Sequence, residues 1–243
     1  MPYLIVAGVV VGLILARSIV AEADAHRAGL DDRWWGPRCG ACGAALGPTL
    51  ASCKTGHRQR WLNVAILVAT PLLLAIAAIV VPSPWVWPAY ATFSASLVLL
   101  TVTDLDTKLI PNRILGPATL ATAILLIVGW SIDRDSGSVL RAAGGAVAYF
   151  AVMYLLALLA RGGLGFGDVK LAFLIGLMAG FGSWGAVVLA GVAAFVVGGI
   201  VSVVLLATRR FGRKDAIPFG PFLMVGGIIA VFWGSEVVSW YLR

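Results

Sequence analysis

The sequence predicts an all-α, polytopic membrane protein with about eight transmembrane helices and a small zinc-ribbon-like loop. Three observations predict it. Of the 243 residues, 60% are hydrophobic and 12% are charged, and the mean hydropathy of +0.98 lies far outside the range of soluble domains. The apolar runs approach the roughly 20 residues that cross a hydrocarbon core of about 30 Å. Between them, Lys and Arg gather in a few loops.

The runs follow one another along the chain. Tyr3 to Ala16 comes first, with no positive residue before it and Arg17 after it, so residues 1–16 read as a retained anchor and not as a cleaved signal peptide. Residues 17–61 form a comparatively polar loop. Residues 62–243 then make up the main membrane domain, with spans expected at Leu62–Val81, Val86–Thr103, Ile114–Ile132, Val139–Ala160, Val169–Phe181, Ala186–Thr208 and Phe219–Trp240. Proline or glycine marks most of the connections.

With the N-terminus outside, fifteen of the 18 Lys and Arg residues fall in cytoplasmic loops and only Arg134, Arg141 and Arg243 fall opposite. That is a strong positive-inside bias, and it requires an even number of spans. The net charge of +7 does not imply a nucleic-acid partner, because the basic residues form no aromatic-interleaved stripe. Small residues at four-residue spacing, Gly144 with Ala148 and Gly198 with Ser202, suit close helix packing in lipid.

Ionisable residues are expensive at a membrane boundary, so two acidic segments stand out. "TDLDTKLIPNR" (103–113) follows the third span and "GLGFGDVKL" (163–171) follows the fifth, which puts both on the cytoplasmic side. Asp104 directly follows an apolar run, whereas Asp106 is nearer Lys108 and water. Two carboxyls sharing such a site hold one proton between them, so that one acts as base and the other as acid on a water. This is peptide hydrolysis without a metal or a covalent intermediate. Gly163, Gly165 and Gly167 would let a substrate backbone lie close to Asp168, and Pro111 would stop the helix that carries Asp104. Lys170 could orient Asp168 or touch the substrate, although a cytoplasmic lysine at a helix end is expected from charge bias and snorkelling alone.

At these residues the sequence resembles the type IV prepilin peptidase family, polytopic aspartic proteases with a Gly-x-Gly-Asp motif. Gly165, Phe166, Gly167 and Asp168 match that motif, and "TDLDTKLIPNR" is similar to the family's other aspartate segment. "AIPFGPFLMVGG" (216–227) is similar to its Ile-Pro-Phe-Gly-Pro start of the last helix. The resemblance covers residues 86–240 best. It implies that Asp104 and Asp168 are the catalytic pair, with Gly165, Gly167, Lys170 and Pro111 toward the substrate. It further implies a bacterial inner-membrane enzyme that removes the short basic leader of a type IV prepilin or pseudopilin precursor at the cytoplasmic face, the substrate entering from the bilayer.

The loop carries all three cysteines and both histidines. Cys39, Cys42, Cys53 and His57 read C-x2-C-x10-C-x3-H, a spacing that can close a tetrahedral, structural zinc site. A cytosolic location argues against disulfides, and His26 lies outside the pattern. Full-length relatives of the resembled family carry two C-x2-C pairs here, and many also methylate the new N-terminus with S-adenosylmethionine. The altered second pair, and a loop start reduced to "GLILARSIV" (12–20), leave methylation an alternative beside proteolysis. Two other readings compete. A presenilin-like protease shares Gly-x-Gly-Asp but lacks support from Tyr-Asp or Pro-Ala-Leu segments. A non-catalytic scaffold or carrier would use Asp104 and Asp168 as an ion or proton site.

Overall fold

The computed structural model describes residues 2–28, 61–81, 83–160, 164–208 and 218–241, with side chains except at 2, 18, 21–28, 61–63, 106 and 107. Among the described residues the regular elements are eight α-helices and one 3₁₀ turn: α1 (Pro2–Ala28), α2 (Trp61–Val80), α3 (Trp87–Thr107), α4 (Asn112–Ile132), the turn Arg134–Ser136, α5 (Val139–Leu159), α6 (Phe166–Gly182), α7 (Trp184–Ala207) and α8 (Gly220–Tyr241). Each expected span falls on one helix. The cysteine and histidine loop, and with it Cys39, Cys42, Cys53 and His57, lies outside the described residues.

The helix starts are chemically simple. The Ser138 hydroxyl accepts from Arg141 N at the start of α5, and the Ser183 hydroxyl accepts from Ala186 N at the start of α7, both filling donors that a first turn leaves free. Gly165 and Pro111, both extended, cap α6 and α4. α3 ends at Thr107 because Lys108 turns left-handed, at φ 54°, and returns its N–H to Asp104 O at 2.8 Å. Pro111 therefore does not stop the helix that bears Asp104. It starts the next one.

By length and composition, α3, α4, α5, α7 and α8 are apolar enough to cross a membrane, while α1 and α2 carry the shorter apolar stretches Tyr3–Arg17 and Val64–Val80. The chain is a multi-pass membrane protein. Its helices divide by exposure: 67% of the apolar window of α3 is buried against 22% of that of α7, so α3 is interior and α7 turns its Val and Phe residues outward, as a lipid-facing helix does. α6, with 17 residues, is shorter than these five, yet twelve of its residues are buried. It is packed by α3, α4, α5, α7 and α8. A helix wrapped by protein need not match the bilayer itself.

α5 and α6 approach most closely at Gly145 and Gly176. A Cβ at 145 would meet Gly176 O at 2.7 Å, and one at 176 would press on the Gly145 carbonyl. The close contact thus falls one residue beyond the Gly144 expected from spacing, which instead faces the Trp184 ring. Gly198 does serve as a seat, for Phe219 and Phe222. A smaller cluster, Ala16, Ile19, Val20, Ile66 and Val102, joins α1, α2 and α3.

Candidate active site

Three helix ends meet at one level: the C-terminal turn of α3 and the N-terminal turns of α6 and α8. The apolar pattern of α3 runs unbroken into Asp104, which carries this carboxylate inside a buried helix at 4% exposure. Its Oδ2 atom is buried without a hydrogen-bond partner. Asp168 is in the first turn of α6, its N–H bonded to Gly165 O at 3.0 Å, and it is 8% exposed. Both aspartates singled out in the sequence are therefore buried, and they interact electrostatically with each other.

Gly220, at the start of α8, brings them together. A Cβ built there would fall on Asp104 Oδ2 and lie 3.4 Å from Asp168 Oδ1. Both carboxylates thus border the side-chain position of Gly220. One turn before Asp104, the Thr101 hydroxyl lies 2.6 Å from Met224 Sδ, which ties α3 to α8 and fixes the depth of that approach. Phe219 lies between Phe195, tilted at 5.1 Å, and Phe222, edge-on at 6.2 Å, and so holds the start of α8 against α7.

The remaining site residues divide. Gly165 is exposed, and its Cα points a bare face at Asp168, since a Cβ there would be 3.4 Å from Asp168 Oδ2. Gly167 is covered instead. Its open side is filled by Ile110, 3.0 Å from where a Cβ would stand. Gly163 lies outside the described residues, and the side chain of Asp106 is not described. Lys170 sits two residues beyond Asp168, about 200° around the helix, so it faces away from the carboxylates. Its Nζ donates to Asn112 Oδ1 at 3.0 Å and lies 4.9 Å from the Phe166 ring centre. Asn112 and Lys170 stand with Leu115, Thr119, Phe150 and Phe173 along a cavity of about 580 Å³ between α4, α5 and α6.

Sequence reasoning missed two partners: Asn112 under Lys170 and Ile110 on Gly167. Pro218, Phe219, Gly220 and Pro221 read from the sequence as a helix start that could line the site, without setting Gly220 against both carboxylates. Among the described residues no group of three or more His, Cys, Asp or Glu side chains could hold a metal.

The described helices and the two buried carboxylates beside Gly220 make this a helical membrane protein with a pair of aspartates inside its bundle. The type IV leader peptidase family matches residues 91–203, the stretch that contains both aspartates. The chain is similar to the prepilin leader peptidase/N-methyltransferase of Bacillus subtilis, 31% identical over 195 residues, covering 79% of this chain and 74% of that protein. It is also similar to the proteins of the same name from Aeromonas salmonicida, 28% identical over 86% of this chain and 66% of that one, and Pseudomonas aeruginosa, 29% identical over 82% and 67%. The chain belongs to the type IV leader peptidase family. It spans about two thirds of the length of the Aeromonas salmonicida relative. No solved structure matches it.

Proposed function

We propose that the chain is a membrane aspartic endopeptidase that removes the leader from type IV prepilin or pseudopilin precursors at the cytoplasmic face. The observation that carries this reading is the pairing of Asp104 and Asp168 across Gly220, with one carboxylate oxygen of Asp104 buried and unpartnered. Buried polar groups are nearly always bonded, and an exception asks for an explanation. A hydrolytic water bonded to both carboxylates supplies one.

The chemistry balances on these two groups. The ionised aspartate takes a proton from water as its oxygen bonds to the scissile carbonyl carbon, and the protonated aspartate donates to the carbonyl oxygen. As the tetrahedral intermediate collapses, the carbon–nitrogen bond breaks and the amine leaves with a proton returned by the dyad. Which aspartate begins protonated is a property of the pair. The bias of Lys and Arg supports an N-terminus outside and a dyad facing the cytoplasm of the bacterial inner membrane.

The test is a cleavage assay on membranes containing the full chain and a prepilin, with leader loss read by mass. Wild type cleaves, while Asp104→Asn and Asp168→Asn insert normally and cleave about 10³-fold more slowly or worse. Variants that cleave like wild type would move the carrier or scaffold reading ahead. The same spectra score N-methylation, the second reading, which the relatives' names support: a methyl increment on the mature N-terminus, dependent on S-adenosylmethionine, establishes it. We also propose that Cys39, Cys42, Cys53 and His57 hold one structural zinc. Purified protein is expected to contain one equivalent of zinc that Cys39→Ala with Cys42→Ala abolishes, and equal zinc in both would refute the site.

A further inference from the structure

Gly220 differs from the other tightly placed glycines of the bundle. Gly226 faces Ala190 and Ala194, Gly234 faces Ala186, and Gly145 faces Gly176 and Gly180, so each lets two helices approach. At Gly220 the three atoms nearest a built Cβ all belong to the two carboxylates. Its backbone lies outside the left-handed region, so conformational freedom does not require glycine here. Leu223 and Met224, both buried, anchor α8 without it. What glycine avoids at this position is side-chain volume against both Asp104 and Asp168.

We infer that Gly220 is a positioning residue for hydrolysis: by contributing no side chain, it sets the separation at which a single water fits between Asp104 and Asp168 and touches both. The inference rests on the dyad reading above. A bound water needs two to four polar partners and room for about one probe sphere. Asp104 Oδ2, buried and free of protein partners, and Asp168 Oδ1 supply two. A methyl group is close to a water in size, so alanine at 220 would compete for that place or push Asp104 aside. The defect would fall on the chemical step, because the rest of the substrate-facing surface is untouched.

The experiment uses the full chain in proteoliposomes with a purified prepilin. It compares wild type, Gly220→Ala, Asp104→Asn and Gly199→Ala, the last at a glycine of α7 with open space around its Cβ position. Rates, KM and detergent melting temperature are measured for each. The expected result is a fall of about 100-fold in kcat for Gly220→Ala, the scale of an ångström-sized misplacement, with KM and melting temperature unchanged and Gly199→Ala equal to wild type. A wild type that does not cleave defeats the protease reading and the inference with it. A wild type that cleaves, with Gly220→Ala within about threefold of it, defeats the inference alone. Loss of activity together with a lowered melting temperature and raised KM assigns Gly220 to helix packing and also overturns it.

Discussion

At the C-terminal end of α6, the carbonyls of Gly180, Phe181 and Gly182 receive the Arg141 guanidinium at 2.9, 2.7 and 2.7 Å, and Ser138 N adds a further bond to Phe181 O at 3.2 Å. At its N-terminal end, Asp168 lies beside a second carboxylate whose Oδ2 bonds to no protein group. One short helix thus carries a cation matched to its negative end and, at its other end, two buried carboxyl groups set together. The matched end is what stability alone would select. The other end buries two like groups together, one of them with an oxygen that has no partner, which stability alone would not select, and such conflicts concentrate where a protein acts on something else.

The largest effects should separate the two ends. Asp104→Asn removes a buried charge that lacks a partner, so the melting temperature in detergent should stay level or rise while cleavage is lost. Arg141→Met should do the opposite, lowering stability by about 2 kcal/mol through the loss of three hydrogen bonds while leaving the turnover of each folded molecule intact. Paired unfolding and cleavage measurements check both. If Asp104→Asn were as destabilising as Arg141→Met, the carboxylate would be part of the scaffold and the contrast between the ends would fail.

How much of this was legible beforehand differs between fold and site. The helices could be read from apolar runs because a membrane imposes one length on nearly every span. α6 shows the limit. The sequence places its span at Val169, but the helix begins at Phe166, so Asp168 is inside the first turn and not in a loop ahead of it. Hydropathy cannot find that start, since Phe166 and Gly167 reveal their helical geometry only through Gly165 as cap. Asp104 was identifiable by its position after an apolar run. Gly220 could be read as part of a helix start lining the site but not as the neighbour of both carboxylates, because that depends on two side chains 116 and 52 positions earlier in the chain, and spacing carries no trace of such a meeting. Pro111 misled for a related reason: a proline marks a boundary without saying which helix it bounds, and Lys108 had already ended α3.

Lys170 offers the smallest effect and sharpens the same contrast. On α6 it stands between the two ends, turned away from the carboxylates and clasping Asn112 at the start of α4. Since α3 and α4 are joined by the short turn 108–111, whose Ile110 rests on Gly167, the clasp holds the segment after Asp104 against α6. A partly exposed bond of this kind contributes about 0.5–1 kcal/mol, which is a two- to fivefold change in the population of the clasped arrangement. Lys170→Met should therefore slow cleavage by about two- to fivefold, and Asn112→Ala should do the same. The double variant should be no slower than either single one, because both remove a single bond. A loss of about 100-fold in Lys170→Met alone, with Asn112→Ala unaffected, would instead put the lysine in contact with the substrate, and the active end of α6 would then extend around to its second face.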